Sequence, residues 1–252
     1  MKEVHYGSWE IGGPRHYYRE RLIMKSLQKW LPSGRVLDVG CGTGSLIVKL
    51  ALQGYEVYGI DTSEECLRIT SQRLKGVSLN GDRNVKKGSA LQIDYPDNFF
   101  NAVIAGEMLE HLENDKSAVS EFRRILKLGG ICIVTVPENP MLWDMWDEKA
   151  GHKRRYSKED ILALFGEEAF LAERFFSWGF PLMRLYHRLV FLRWARRIDK
   201  KKSGRISSED ALTRIGLNRW STVILGNLFR IDNLFSRLPW GIGILLVARK
   251  ER

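Results

Sequence analysis

The stretch Arg35–Leu50, RVLDVGCGTGSLIVKL, restricts the fold more than any other part of the chain. An apolar run ends in Asp38 and three alternating glycines, Gly40, Gly42 and Gly44, and then turns at once into a helical pattern. Glycines are needed there if a ligand must approach backbone amides at a helix N-terminus, because a Cβ would block the approach or forbid the torsions. The same rhythm recurs downstream. YEVYGID is the next strand, SEECLRITSQRLK a helix that Thr62 or Ser63 can cap, and VKKGSA a third strand. FNAVIAG is a fourth strand, KSAVSEFRRILKLGG a helix closed by glycines, and ICIVTVP a fifth strand. Strands that are apolar throughout and separated by helices imply a parallel sheet covered on both faces.

Beyond Pro137 a polar, aromatic loop leads to a helix from about Lys158 to Gly166, with Ser157 and Asp160 as its start signal. AERFFSW reads as a sixth strand and GILLVARK as a seventh. About sixty residues separate these two, where a compact connection needs only ~4–6. The excess requires its own structure, and Leu217, Trp220, Ile224, Leu228, Ile231, Phe235 and Leu238 fall at helical steps that predict one apolar stripe. The expected fold class is α/β: a doubly wound, seven-stranded, mostly parallel Rossmann-like sheet with a helical insertion before the last strand. Residues 1–178 with 241–252 are read as the main domain, 1–34 as its N-terminal helical cap, and 179–240 as a basic, aromatic helical insertion.

At 252 residues and 44% hydrophobic content the chain can bury a full core. No apolar run approaches the ~20 residues of a spanning helix, and MKEVHYGSWE lacks the apolar centre of a secretory signal, so a cytoplasmic protein is expected. Cys41, Cys66 and Cys132 are odd in number and widely spaced, which fits reduced thiols rather than a disulfide frame or a metal site. The net charge of +10 is concentrated: thirteen Arg and Lys against four Asp and Glu between Gly179 and Trp240 leave the rest almost neutral.

The glycine turn meets neither phosphate motif. In G-x-G-x-x-G the third glycine would fall one place later, where Ser45 stands, and a P-loop lysine is missing after Gly44. Asp38, two residues before the first glycine, is awkward beside a pyrophosphate and suits a cationic ligand. Asp61 ends the second strand, where an acid can accept both hydroxyls of a ribose or cap the next helix. A ligand with a ribose, a positive centre and no phosphate meets both demands.

The segments VLDVGCGTG, GID, GSALQIDYPDNFFNAVIAGEMLEHL and EFRRILKLGGICIVTVP resemble the class I S-adenosylmethionine-dependent methyltransferases, especially the branch containing the ubiquinone and menaquinone biosynthesis enzymes. The resemblance covers roughly Arg35 to Pro137. It implies S-adenosylmethionine as cofactor, with Gly40 and Gly42 facing its methionine part, Asp38 orienting its amino acid head and Asp61 holding its ribose. Cys41, Thr62 and Ala90 join the implied contacts, Gly106 and Met108 line the cofactor, and Arg19 or Arg21 meets the methionine carboxylate. Ser89 stands where relatives often have aspartate and can still accept from the adenine amino group. Asn101 and Leu128 replace a frequent aspartate and proline, departures read as structural.

Methyl transfer needs alignment and exclusion of water, and no metal or covalent residue; an acceptor with a high pKa also needs a base. Glu107, Glu110 and His111 after the fourth strand, and Glu138 and His152 after the fifth, are the candidates, with His111 and His152 preferred. The loop DEKAGHKRRYSKEDIL brings Asp147, His152, Arg154, Arg155 and Tyr156 towards the acceptor side, where the two arginines either clamp an anionic substrate or anchor the loop on Asp144, Asp147 or Glu148. The basic insertion has three readings: a solvated lid, an anionic membrane or lipid-substrate surface, or a nucleic-acid surface. The motif of amino-group nucleic-acid methylases is absent after the fourth strand. Arg184 and Arg188 share a helix face while Arg193, Arg196 and Arg197 fall nearly opposite, which demands a break near Val190 or partial burial. The reading that emerges is a methyltransferase for a small, apolar or lipid-linked acceptor, cytoplasmic and peripheral to the inner membrane face. An RNA-directed enzyme and a non-catalytic cofactor-binding protein are the alternatives.

Overall fold

The computed structural model describes residues 13–77, 84–193, 195–196 and 219–251. Helix α1 (Pro14–Trp30) starts with proline at its first position, where a missing N–H costs nothing. Strand β1 (Arg35–Val39) runs through the glycine turn into α2 (Ser45–Leu52), and β2 (Glu56–Asp61) into α3 (Glu64–Gly76). The cap of α3 is Ser63, whose hydroxyl accepts from Cys66 N at 3.3 Å. Then follow β3 (Val85–Lys87), β4 (Phe100–Gly106), α4 (Asp115–Ile125), β5 (Leu126–Pro137), α5 (Met145–Ala150), α6 (Lys158–Glu167) and β6 (Phe170–Trp178). Between β6 and β7 (Gly243–Lys250) lie α7 (Leu182–Tyr186), a π-helical turn (His187–Phe191), α8 (Arg219–Leu228) and a 3₁₀ segment (Phe229–Phe235).

The strands pair in the order β3-β2-β1-β4-β5-β7-β6, all parallel except β7, which runs antiparallel to both neighbours. The order reverses between β1 and β4, so their C-terminal ends open the crevice in which such sheets bind ligands. Alternate residues feed two cores. Val36, Ala102 and Ile104 pack with α1 and α2, while Leu37, Val103 and Ala105 pack with α4 and α6. Met183 and Phe229 join the α1 side, so the described part of the 179–240 segment is fastened to that core.

Two local readings need correction. The helix before the fifth strand ends at Ile125, because buried Leu126 already pairs with Phe100 and the glycines fall inside β5. Asn101 fills the resulting irregularity, accepting from Arg35 N at 3.1 Å and Lys127 Nζ at 3.4 Å. The second correction is the apolar stripe: Trp220, Ile224, Leu228, Ile231 and Phe235 are exposed, and α8 turns Thr222, Gly226 and, beyond it, Phe229 inward instead. Close approach to α1 decides this, since a Cβ on Gly226 would stand 2.5 Å from Tyr17 Cδ1. The break required near Val190 coincides with the π-helical turn. Leu217, Trp194 and the basic residues Arg197, Lys200, Lys201, Lys202, Arg205 and Arg214 lie outside the described residues.

Glu138, just past β5, is buried and accepts from Ser177 Oγ at 2.5 Å, with Gly241 against it. Burial pushes its carboxyl up to about 7, against the pull of the Ser177 hydrogen bond. Unfolded, the group ionises near 4.5, so its proton is held longer in the native state and stability falls as pH rises from there through about 7. Urea denaturation of wild type and Glu138→Gln should therefore diverge between pH 4.5 and 8, wild type losing about 3 kcal/mol relative to the variant. Parallel pH profiles would place the titration elsewhere.

Candidate active site

The glycine turn is built from the end of β1. Gly40, Gly42 and Gly44 have φ of +72°, +54° and +80°, a region costly to other residues. Gly40 N and Cys41 N both donate to Ile60 O, at 2.8 and 3.1 Å, which clips the turn to β2. Thr70 Oγ1 on α3 donates to Gly42 O at 2.8 Å. A Cβ on Gly40 would meet Met108 Cγ at 2.9 Å, whereas off Gly42 nothing lies within 4 Å. One side of the turn is closed by protein and the other is open to a ligand.

Asp38 is buried at the strand end. Asp61, half-buried, accepts from Gly42 N through Oδ2 at 2.9 Å and from Ser63 N through Oδ1 at 2.8 Å, so its carboxylate braces both loops and faces the same opening. Thr62 and Ser89 are exposed beside it, Ser89 Oγ accepting from Leu91 N, and Ala90 is buried. Gly106 ends β4, where an added Cβ would reach only ordinary contact with Ile23 and Thr135. Cys41 turns its side chain inward against Gly59, and burial, helped by Asp38 and Asp61, pushes its thiol well up, so its backbone faces the turn while its sulfur is inert. Arg21 departs from expectation. It points away from the turn to Asn227 Oδ1 at 2.5 Å, because it lies about half a turn of helix from Arg15 and Arg19, which share the inward face.

A second group of side chains gathers beyond β4 and β5. Glu107 sits at φ +55°, strained for a residue with a Cβ, and pairs with Arg15 at 3.1 Å and Arg19 at 3.8 Å. Although burial works against it, these arginines hold its carboxyl below the usual range. Glu110 is fully buried on a 3₁₀ turn, Leu109–His111, with neither carboxylate oxygen hydrogen-bonded. Burial, then the charge of Glu107, pushes it well above the usual range, so it is a neutral acid.

His152 comes from the loop after α5. Its Nδ1 is 2.7 Å from Asp147 Oδ1 and its Nε2 is 3.9 Å from Glu110 Oε1. Burial opposes ionisation of Asp147, but hydrogen bonds from His152, Arg155 and Asp144 N keep it well below the usual carboxylate range. The Asp147 carboxylate therefore accepts, His152 Nδ1 carries the proton, and Nε2 presents its lone pair to the cluster. His111 packs edge-to-face on His152 at 4.9 Å, and burial lowers its pKa. One donor atom each of Glu110, His111 and His152 lies within 4.8 Å of the others, a set able to pass a proton or to ligate a cation.

The geometry brings His111 and His152 together and keeps Glu138 apart, tied to Ser177. The arginine clamp is replaced by anchors. Arg154 holds Asp115 at 3.1 Å and the carbonyls of Leu112 and Glu113, and Arg155 grips Asp147 through Nε at 2.9 Å and Nη2 at 2.8 Å. The Arg15–Glu107 pair was not foreseen; the i, i+4 spacing of Arg15 and Arg19 is its only trace in the sequence.

Sheet order, glycine turn and paired acids are similar to those of class I S-adenosylmethionine-dependent methyltransferase domains, and the open Gly42 face with Asp38 and Asp61 fits that cofactor. Residues 37–134 match the family model described as a methyltransferase domain. The chain is 34% identical over 113 residues to a demethylmenaquinone methyltransferase of Geobacillus kaustophilus, covering 43% of this chain and 47% of that protein. It spans about half the length of the curated relatives it matches. Its fold matches the [4+2]-cyclase SpnF with a TM-score of 0.62 at 23% identity, over 92% of this chain and 80% of the other. It also matches phosphoethanolamine N-methyltransferase 2 of Haemonchus contortus, solved with S-adenosyl-L-methionine, with a TM-score of 0.61 at 17% identity, over 92% of this chain and 53% of the other. One fold thus carries different chemistries, and the site must decide between them.

Two carboxylates of equal burial should respond oppositely to amidation. Asp147→Asn strips the buried Arg155 of its partner and is expected to cost about 3–5 kcal/mol at pH 7. Glu110→Gln replaces one neutral group by another and should cost under about 1 kcal/mol. Chemical denaturation of both variants checks this; equal losses would mean that Glu110 is ionised.

Proposed function

We propose that this protein transfers a methyl group from S-adenosylmethionine to a small acceptor with an apolar or lipid-linked body. The observation that carries the reading is the Asp147–His152 pair, facing Glu107 and Glu110 beside the glycine turn at the same sheet edge. When bound, S-adenosylmethionine supplies an electrophilic methyl group, so transfer in line needs chiefly alignment. Asp61 would hold the ribose, and Asp38 and the open face of Gly42 would receive the amino acid head. His152 Nε2 takes the acceptor proton while Asp147 faces the imidazolium that forms. Neutral Glu110 leaves that lone pair free, where a carboxylate would have drawn a proton onto it. Arg15 and Arg19, with Glu107, close the approach from α1.

The name of the Geobacillus relative suggests a quinone-type acceptor, as does the apolar face of the insertion. Trp220, Ile224, Leu228, Ile231 and Leu234 stand exposed next to Arg230 and Arg237, more apolar surface than a helical layer leaves in water without use. Such a face suits shallow docking on anionic lipid, with acceptor entering from the membrane. No helix among the described residues is long and apolar enough to cross a membrane.

Calorimetry with S-adenosylhomocysteine tests the cofactor site: Asp61→Ala should weaken binding about tenfold or more. His152→Ala should retain that binding and lose about 10²–10⁴ in turnover. Near-normal turnover in both His152→Ala and His111→Ala would remove the base. For the membrane face, flotation with phosphatidylglycerol vesicles should carry the protein, and Trp220→Ser with Leu234→Ser should abolish it. Absence of lipid-dependent binding at low and at physiological salt would discard the docking.

A further inference from the structure

The acceptor side continues into a depression of about 380 Å³ between α1, the loop after β5 and the α7–π segment. Four arginines, Arg15, Arg155, Arg184 and Arg188, line it with His187, and Asp144 is the only carboxylate in its wall. Their charges are not equally answered. Arg155 is neutralised by Asp147 and Arg15 by Glu107. Asp144 is occupied by His187 Nε2 at 2.9 Å. Arg184 donates to the carbonyl of Trp240 at 3.3 Å and its charge is felt by the Glu138 carboxyl, but among the described residues neither Arg184 nor Arg188 forms an ion pair within 4 Å.

Two guanidinium groups at i and i+4 repel each other on one helix face, a cost without return unless an anion sits between them. His187 supplies a second sign of a missing ligand. It lines the depression, is 8% exposed, and keeps Nδ1 buried with no hydrogen-bond partner; with Nε2–H given to Asp144 this nitrogen is an acceptor, and it fits a proton-bearing oxygen such as the hydroxyl of a hydrogen phosphate. The remaining wall, with Leu142, Trp143 and Leu192, is apolar. A ligand made for this place has an oxyanion on an apolar body. Its reactive end has a short way to go, because Arg15 and Arg155 belong to both sites: one pairs with Glu107, the other with the Asp147 that orients His152.

We propose that the acceptor carries an oxyanion group, a phosphate or a carboxylate, held by Arg184 and Arg188 away from the atom that is methylated. This rests on the methyltransferase reading and names the acceptor class that reading leaves open. An anionic amphiphile also agrees with the exposed apolar face of α8, from which its tail would be delivered.

The test is calorimetric titration of the full chain with phenyl phosphate, phenylacetate, phenol and inorganic phosphate, each with and without saturating S-adenosylhomocysteine. At least one organic anion should bind about tenfold or more tightly than phenol, and tightly enough to outcompete inorganic phosphate. In the double variant Arg184→Gln, Arg188→Gln that affinity should fall about tenfold or more, with S-adenosylhomocysteine affinity unchanged. Equal binding of phenol and the anions, equal binding of inorganic and phenyl phosphate, or a double variant that binds as wild type would each overturn the proposal. Failure of S-adenosylhomocysteine to bind would instead strike the methyltransferase reading, and the titrations without it would still decide the anion site.

Discussion

The side-chain cluster beyond β4 and β5 hangs on one buried carboxylate. Asp147 has no exposed surface, yet it accepts from Asp144 N at 2.8 Å, from His152 at 2.7 Å and from two nitrogens of Arg155. The first of these bonds is half of the capping box that starts α5, so helix initiation and the orientation of His152 share a side chain. The second fixes which imidazole nitrogen carries the proton. The third places a guanidinium in the wall of the adjoining depression. A charge so deeply buried persists only because every lone pair is answered, and that completeness makes the loop rigid enough to hold a base.

How legible this was depended on the range of the interaction that set each part. The sheet was readable because apolar runs, glycine stops and helical spacing are local, and the glycine turn because positive φ and ligand approach both demand glycine. Asp61 was found from its position at a strand end, although its hydrogen bond to Gly42 N could not be. The error at Arg21 has the same origin in reverse: a helix face was left undetermined between Arg19 and Arg21, and contacts with α8, two hundred residues away, chose it. The arginine pair was seen but misassigned. Spacing shows that Arg154 and Arg155 are near the acceptor, while only tertiary structure shows Asp115 and Asp147 already holding them.

The stripe on α8 is the most instructive departure. Periodicity identified the apolar residues correctly and cannot say which way they face. Phe229, Gly226 and Asp232 fasten the segment from the other side: Asp232 accepts from Leu182 N and Met183 N at 2.9 and 3.0 Å, capping α7, and Tyr18 hydrogen-bonds Asn233. A helix that spends polar contacts on its protein face and leaves Trp220 and Leu234 in water reverses the order expected of a soluble layer.

The two halves of the site then divide the work by rigidity. The cofactor side stands on central strand ends and a turn locked by backbone bonds to β2, where displacement would disturb the sheet. The acceptor side stands on α1, the loop after β5 and the α7–π segment, which meet through side chains such as Arg15, Asp144 and His187. Arg188 follows Arg184 by four residues across the junction of α7 and the π-helical turn, so both line the same depression. The depression is therefore lined wholly from outside residues 37–134, the part that matches the methyltransferase domain model, and likeness over those residues leaves it undetermined.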